Sequence, residues 1–172
     1  LQALPAAIAQ LLESTTQIQE IAMWLAQFDH ALYIGRHAHA PIAYEGALKL
    51  KEVTYMHAEG YPGGELKHGP IALLDERCPV IALAPTDHVH DKMIANMEEL
   101  KARSAPVIAI TTEDDTQCTQ VADYVIQVPK VHPILQPIVS TVPLHLLAYH
   151  TGIAKGYNVD RPRNLAKSVT VE

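Results

Sequence analysis

The chain has 172 residues, 48% of them hydrophobic, which suits one compact domain able to bury most of its apolar surface. Lys and Arg number 13 against 19 Asp and Glu, a formal net charge of −6, so a broad phosphate-backbone footprint and a nucleic-acid partner are poor guesses. Cys78 and Cys118 are the only cysteines, too few for a disulfide framework and not at a zinc-like spacing, and both read as ordinary buried or half-buried thiols.

In chain order, apolar residues at Ile8, Leu11 and Leu12, then at Ile18, Ile21, Ala22 and Leu25, predict one helix or two consecutive ones over roughly residues 5 to 27. Ala31-Leu32-Tyr33-Ile34-Gly35 is a short apolar run closed by glycine, as a buried parallel strand would be. A helix is expected from about Pro41 to Ala58, with the proline in its first turn, followed by a glycine-rich loop. Pro79 to Pro85 reads as a second strand, Asp91 to Arg103 as an amphipathic helix, and Pro106 to Thr111 as a third strand. Ala122 to Val128 supplies a fourth strand, and Pro137 to Lys155 a long final helix containing Pro143.

Strands alternating with helices at this spacing predict an α/β fold, a three-layer αβα sandwich with a mainly parallel sheet and right-handed crossovers. Residues 1–155 then form one domain, with a helical lead-in over about residues 1–28. Residues 156–172 follow no period, and the basic cluster Arg161 to Ser168 reads on composition alone as a solvated tail. The apolar runs fall short of the ~20 residues a membrane helix needs, and no charged region leads into an apolar run at the start. A cytoplasmic protein with no membrane partner is the expectation, and a first residue of Leu1 rather than Met hints at a fragment or a processed chain.

The chemistry concentrates in Glu45-Gly46-Ala47-Leu48-Lys49-Leu50-Lys51-Glu52 and in the loop that follows. On a helix, positions 45, 49 and 52 fall at about 0°, 40° and −20°, so Glu45, Lys49 and Glu52 share a stripe. Such a stripe is either a surface ladder worth a few tenths of a kcal/mol per pair, or a carboxylate beside an ammonium whose mutual field sets which one acts as a base. It follows a strand closed by Gly35, and open α/β sheets place their ligand crevice at that carboxyl edge, where nearby helix residues can face a ligand.

Between Gly63 and Pro70 the loop carries Glu65, Lys67 and His68. His68 suits moving a proton on or off a sugar hydroxyl, and is otherwise a loop histidine bonded to a backbone carbonyl.

The pairs His37/His39 and His88/His90 lack a nearby cluster at zinc-like spacing, so no metal is assigned. His145 and His150 are five apart and poor partners for each other, and His57 reads as a packing or capping residue. A phosphate cradle would be rich in glycine or hydroxyls where it opens a helix. Gly35-Arg36-His37-Ala38-His39-Ala40-Pro41 has no hydroxyl and Ala84-Pro85-Thr86-Asp87-His88 only one, so a phosphate would be held by another domain.

Four separated motifs carry a resemblance. Glu45 to Glu52, His57-Ala58-Glu59, Gly64-Glu65-Leu66-Lys67-His68-Gly69-Pro70 and the tail Pro162-Arg163-Asn164-Leu165-Ala166-Lys167-Ser168-Val169-Thr170-Val171-Glu172 resemble, in this order, the glutamine–fructose-6-phosphate aminotransferase (glucosamine-6-phosphate synthase) family. The similarity spans essentially the whole chain but only the C-terminal sugar-isomerase (SIS) lobe of that family, a flavodoxin-like fold. The glutaminase domain and the first SIS lobe, with its phosphate-gripping Ser/Thr-rich loops, have no counterpart here.

The resemblance implies that Glu52 is the base moving a proton between C1 and C2 of the sugar. It implies that His68 is the ring-opening acid/base, supplied from the partner subunit of a homodimer. Lys167 is similar to the tail lysine that meets the sugar carbonyl as an amine able to form an imine, and Lys49 to a cation near the developing enolate-like oxygen. Glu45 and Ala166 are implied to contact or orient the substrate, fructose 6-phosphate or glucosamine 6-phosphate, with no cofactor and no metal. The sequence departs from the family mainly at Arg36 to Ala40 and at Pro62-Gly63, so substrate detail near those loops is left open.

Two rivals are weaker. A sugar-phosphate-sensing module of a transcription regulator would call for a basic recognition helix, which is not found. A related deglycase or isomerase of fructosamine phosphates would not be expected to keep the Asn164 to Glu172 tail.

Overall fold

The apolar runs that lack polar alternation become central strands because helices cover both of their faces. In the computed structural model, which describes residues 1–13 and 15–165, the strands are β1 His30–Gly35, β2 His57–Pro62, β3 Val80–Leu83, β4 Val107–Thr112 and β5 Tyr124–Val128. They form one sheet in the order β2-β1-β3-β4-β5, and every pairing is parallel. The helices are α1 Leu4–Glu13, α2 Thr16–Leu25, α3 Ala40–Thr54, α4 His90–Lys101, α5 Cys118–Val121 and α6 Gln136–Ala154.

Alternate strand residues build two cores. Ala31, Tyr33, Ile81, Leu83, Ile108, Ile110, Ile126 and Val128 pack against α1, α2, α3 and α6. Leu32, Ile34, Val80, Ala82, Val107 and Ala109 pack against Met93, Met97 and Leu100 of α4, with Leu66 and Cys118. Both cysteines are buried and unpaired. The three-layer α/β expectation holds, and α6 runs on through Pro143.

The largest boundary difference is at the end of α3. The helix expected to reach Ala58 stops at Thr54, where Tyr55 turns left-handed at φ 58°. The Thr54 hydroxyl donates to Leu50 O at 2.6 Å and accepts from Met56 N at 3.2 Å, closing the helix end. Residues read as helix end and loop are instead β2, a fifth strand paired with β1 from His30↔His57 to Gly35↔Pro62. His57 to Pro62 contains no β-branched residue, so nothing in its composition announces a strand. As an edge strand, with one neighbour among the described residues, it tolerates Gly60 inside it and Pro62 at its end.

Candidate active site

A strand, a helix and a parallel strand fix where the α3 side chains lie. The helix leaves the carboxyl end of β1 and must return the chain to the amino end of β2. Glu52 therefore stands roughly 18 Å along the helix axis from Ala40, toward the amino edge of the sheet. This corrects the placement read from the sequence, because the charged stripe does not overlook the crevice at the switch point between β1 and β3. At that carboxyl edge lies instead a hollow of about 80 Å³, lined by His39, Thr86, Asp87, Thr112, Lys130 and Gln136 among others. The Thr86 and Thr112 hydroxyls there bond each other at 2.6 Å, and Lys130 is neutralised by Asp114 at 2.7 Å.

On α3, Lys49 Nζ lies 2.6 Å from Glu52 Oε2. Hydrogen bonding to Glu52 raises the Lys49 pKa above its ordinary value; burial opposes the rise, and the Glu52 and Glu45 charges add to it. The ammonium is thus a lasting positive charge beside a carboxylate. Glu45 shares the stripe but pairs elsewhere, its Oε1 accepting from His145 Nε2 of α6 at 3.1 Å. Nothing in the sequence marks His145 as a partner for an α3 residue, since the two are 100 residues apart and only the packing of α3 on α6 joins them.

Lys49, Val53, His145, Ala148, Tyr149, Val159 and Asp160 line a hollow of about 130 Å³ beside this pair. Its far wall is the segment after α6, which is not a free tail. Arg163 N donates to the Tyr55 hydroxyl at 2.8 Å, the Arg163 guanidinium sits 4.0 Å above the Tyr55 ring, and Tyr157 meets the same ring edge-on at 4.9 Å. The chain is thereby held against the C-terminal end of α3 up to the described limit at Leu165. Ala166 and Lys167 lie outside the described residues. The sequence assigns Tyr55 no role and gives no sign that Arg163 meets it, since the expected helix runs on to Ala58.

His68 is the exception to the convergence. It ends a 3-10 segment, Gly63–His68, that follows β2, and its Nδ1 is 2.7 Å from Glu65 Oε2 while 70% of its side chain stays exposed. Lys67 of the same segment pairs with Glu99 of α4 at 2.7 Å, so the segment is fastened to the opposite helical layer from α3. Among the described residues no hydrogen bond or ion pair joins His68 to Lys49 or Glu52.

A parallel five-stranded sheet in this order, with charged groups on its first crossover helix, defines a class, and residues 24–155 match it: the chain belongs to the SIS domain family. Within that family it is 53% identical over 169 residues to glutamine–fructose-6-phosphate aminotransferase [isomerizing] of Thermus thermophilus, covering 98% of this chain and 28% of that protein. The C-terminal domain of glucosamine-fructose-6-phosphate aminotransferase from Francisella tularensis superposes with a TM-score of 0.83 at 39% identity, over 91% of this chain and 44% of that one. Tagatose-6-phosphate ketose/aldose isomerase from Escherichia coli shares the fold, with a TM-score of 0.78 at 18% identity over 93% of this chain and 46% of that one. The resemblance read from the motifs is borne out. The chain spans 28% of the length of the Thermus relative.

Proposed function

We propose that this chain is the second SIS lobe of the isomerase part of a glucosamine-6-phosphate synthase, converting fructose 6-phosphate to glucosamine 6-phosphate with ammonia drawn from glutamine. Residues 1–155 form the lobe, and 156–172 a tail that completes the site. The observation that carries this reading is the Lys49–Glu52 pair at 2.6 Å, set beside a hollow whose wall is the anchored tail.

Glu52 takes the proton from one sugar carbon and returns it to its neighbour, so it must be a carboxylate held next to a cation and within reach of the ring-opened substrate. Lys49 is that cation, and it also faces the oxygen that gains negative charge as the enolate-like intermediate forms. Glu45, fixed by His145, orients the substrate end of the stripe. Ala166 contacts the sugar, and Lys167, two residues beyond the last described position, meets its carbonyl.

His68 acts on the ring oxygen of a sugar bound to a second copy of the chain. Glu65 occupies its Nδ1, so Nε2 is the nitrogen left to exchange a proton, and its exposure suits a residue that completes a neighbour's site. The working unit is then a homodimer, with a first SIS lobe to grip the phosphate and a glutaminase domain to supply ammonia, in the cytoplasm. The chain by itself is expected to show little or no synthase activity.

The test replaces the matching 169 residues of the Thermus thermophilus relative with this chain. The graft should form glucosamine 6-phosphate, and Glu52→Gln within it should lower kcat about 10²–10⁴-fold with KM little changed. A Glu52→Gln graft that folds, hydrolyses glutamine and still keeps full synthase activity would remove Glu52 from the chemistry.

A further inference from the structure

Away from the α3 stripe, three side chains with metal-ligand chemistry meet beneath the carboxyl ends of β3 and β4. His90 opens α4, Asp115 lies in the turn after β4, and Cys118 opens α5. All three are buried, and one donor atom from each lies within 4.8 Å of the other two.

The His90 ring is oriented from behind. Its Nδ1 lies 3.1 Å from Ala84 O and 3.2 Å from Pro85 O, both acceptors, so a ring hydrogen belongs on Nδ1, and in the neutral ring Nε2 carries the lone pair. Although His90 is only 8% exposed, Nε2 has no hydrogen-bond partner among the described residues, and it faces Asp115 Oδ1 at 3.5 Å. Asp115 is held just as firmly. Thr111 Oγ1 approaches its Oδ2 at 2.6 Å, and the amides of Gln117 and Cys118 reach its Oδ1 at 2.8 and 3.4 Å.

His90 Nε2 and Asp115 Oδ1 thus face each other across 3.5 Å in a buried site, where a cation between them would give the unpartnered ring nitrogen its partner. We propose that His90 Nε2, Asp115 Oδ1 and Cys118 Sγ bind a zinc ion, with a water as fourth ligand. An imidazole, a carboxylate and a thiolate together suit zinc, whereas magnesium and calcium want oxygen donors throughout. The Ala84 and Pro85 carbonyls behind His90 and the Thr111 hydroxyl behind Asp115 are the outer partners that orient metal ligands. Without metal, burial and the neighbouring Asp115 keep Cys118 as the thiol. Binding converts its S–H to S⁻, and one proton leaves for each zinc bound. The ion would pin the start of α4 to the β4–α5 turn. The isomerase reading neither requires this site nor depends on it.

The experiment uses the purified chain stripped with a chelator and titrated with zinc chloride. One zinc per chain should bind with release of one proton, and Tm should rise by about 5–10 °C at zinc a hundredfold above Kd, with no response to magnesium. Cys118→Ser and His90→Gln should each weaken zinc at least about tenfold and cut the Tm shift at the same zinc concentration to about half or less. Cobalt loaded into the unaltered chain should show thiolate-to-cobalt charge-transfer absorption, a readout that needs no variant to fold. A chain that takes up no zinc, that takes it up equally in both variants, or whose cobalt form shows no thiolate band overturns the proposal. The last two outcomes would assign the binding to surface histidines.

Discussion

His39 shows how far burial alone can move a side chain. It is 3% exposed, its Nε2 is 3.2 Å from the Ser140 hydroxyl, and its Nδ1 has no partner among the described residues. Burial lowers its pKa from 6.5 to about 4, opposed by the Asp87 charge and reinforced by that of His37. Below pH 6.5 the unfolded chain therefore gains a proton that the native state refuses until about pH 4, so this residue makes stability fall as pH falls through that window. The loss attributable to it should reach about 2 kcal/mol at pH 5. Urea denaturation at pH 7 and pH 5 checks it: His39→Gln should lose about 2 kcal/mol less than the unaltered chain between the two, and equal losses would refute the assignment.

Lys49 has the opposite sign. Its raised pKa makes the pair with Glu52 a contribution that is complete at neutral pH and disappears only as pH climbs past the ordinary lysine value. At this scale the sequence was legible where helical spacing carries the information. Glu45, Lys49 and Glu52 do share a face, but that Glu45 would choose His145 over Lys49 depends on a helix 100 residues away.

At the scale of elements, β2 lies against α3 through a glycine. A Cβ on Gly60 would stand 2.8 Å from the backbone N and Cα of Tyr44, atoms that cannot step aside as a side-chain end can. Gly60→Ala should therefore cost about 1–3 kcal/mol, read as a lower urea midpoint with unchanged m-value. The tail clamp permits a finer test. Tyr55→Phe removes the acceptor of the Arg163 amide yet keeps the ring under the guanidinium. Stability should drop by less than about 1 kcal/mol, while kcat of the graft drops several-fold because the segment leading to Lys167 is less firmly placed. If kcat is untouched although the clamp is broken, the tail does not depend on Tyr55 for its position. Neither element is visible in the sequence. An edge strand without β-branched residues leaves no periodic signal, and a cation–aromatic contact between residues 55 and 163 leaves none at all.

For the whole molecule, the question is whether one copy of the chain can hold a complete site. His68 is fastened to the α4 layer and Glu52 lies on α3, in the layer across the sheet. If a partner supplies His68, mixing grafts that carry Glu52→Gln with grafts that carry His68→Ala should restore activity. Random exchange gives half heterodimers, each with one intact site of two, so recovery should approach about a quarter of the unaltered value. No recovery after confirmed subunit exchange would place both groups in a single chain's site. Among the described residues, no helix is long and apolar enough to cross a membrane.

The α/β architecture could be read from the sequence, through apolar runs alternating with amphipathic helices, and so could the family, through four separated motifs in a fixed order. Both are properties of neighbours along the chain, and spacing records them. Tertiary structure alone decided that β2 is a strand, that the charged stripe faces the amino edge rather than the crevice, that the tail is clamped to Tyr55, and that His90 meets Asp115 and Cys118. Each of these is set by which surfaces a parallel sheet brings together, and residues far apart in sequence carry no periodic trace of that.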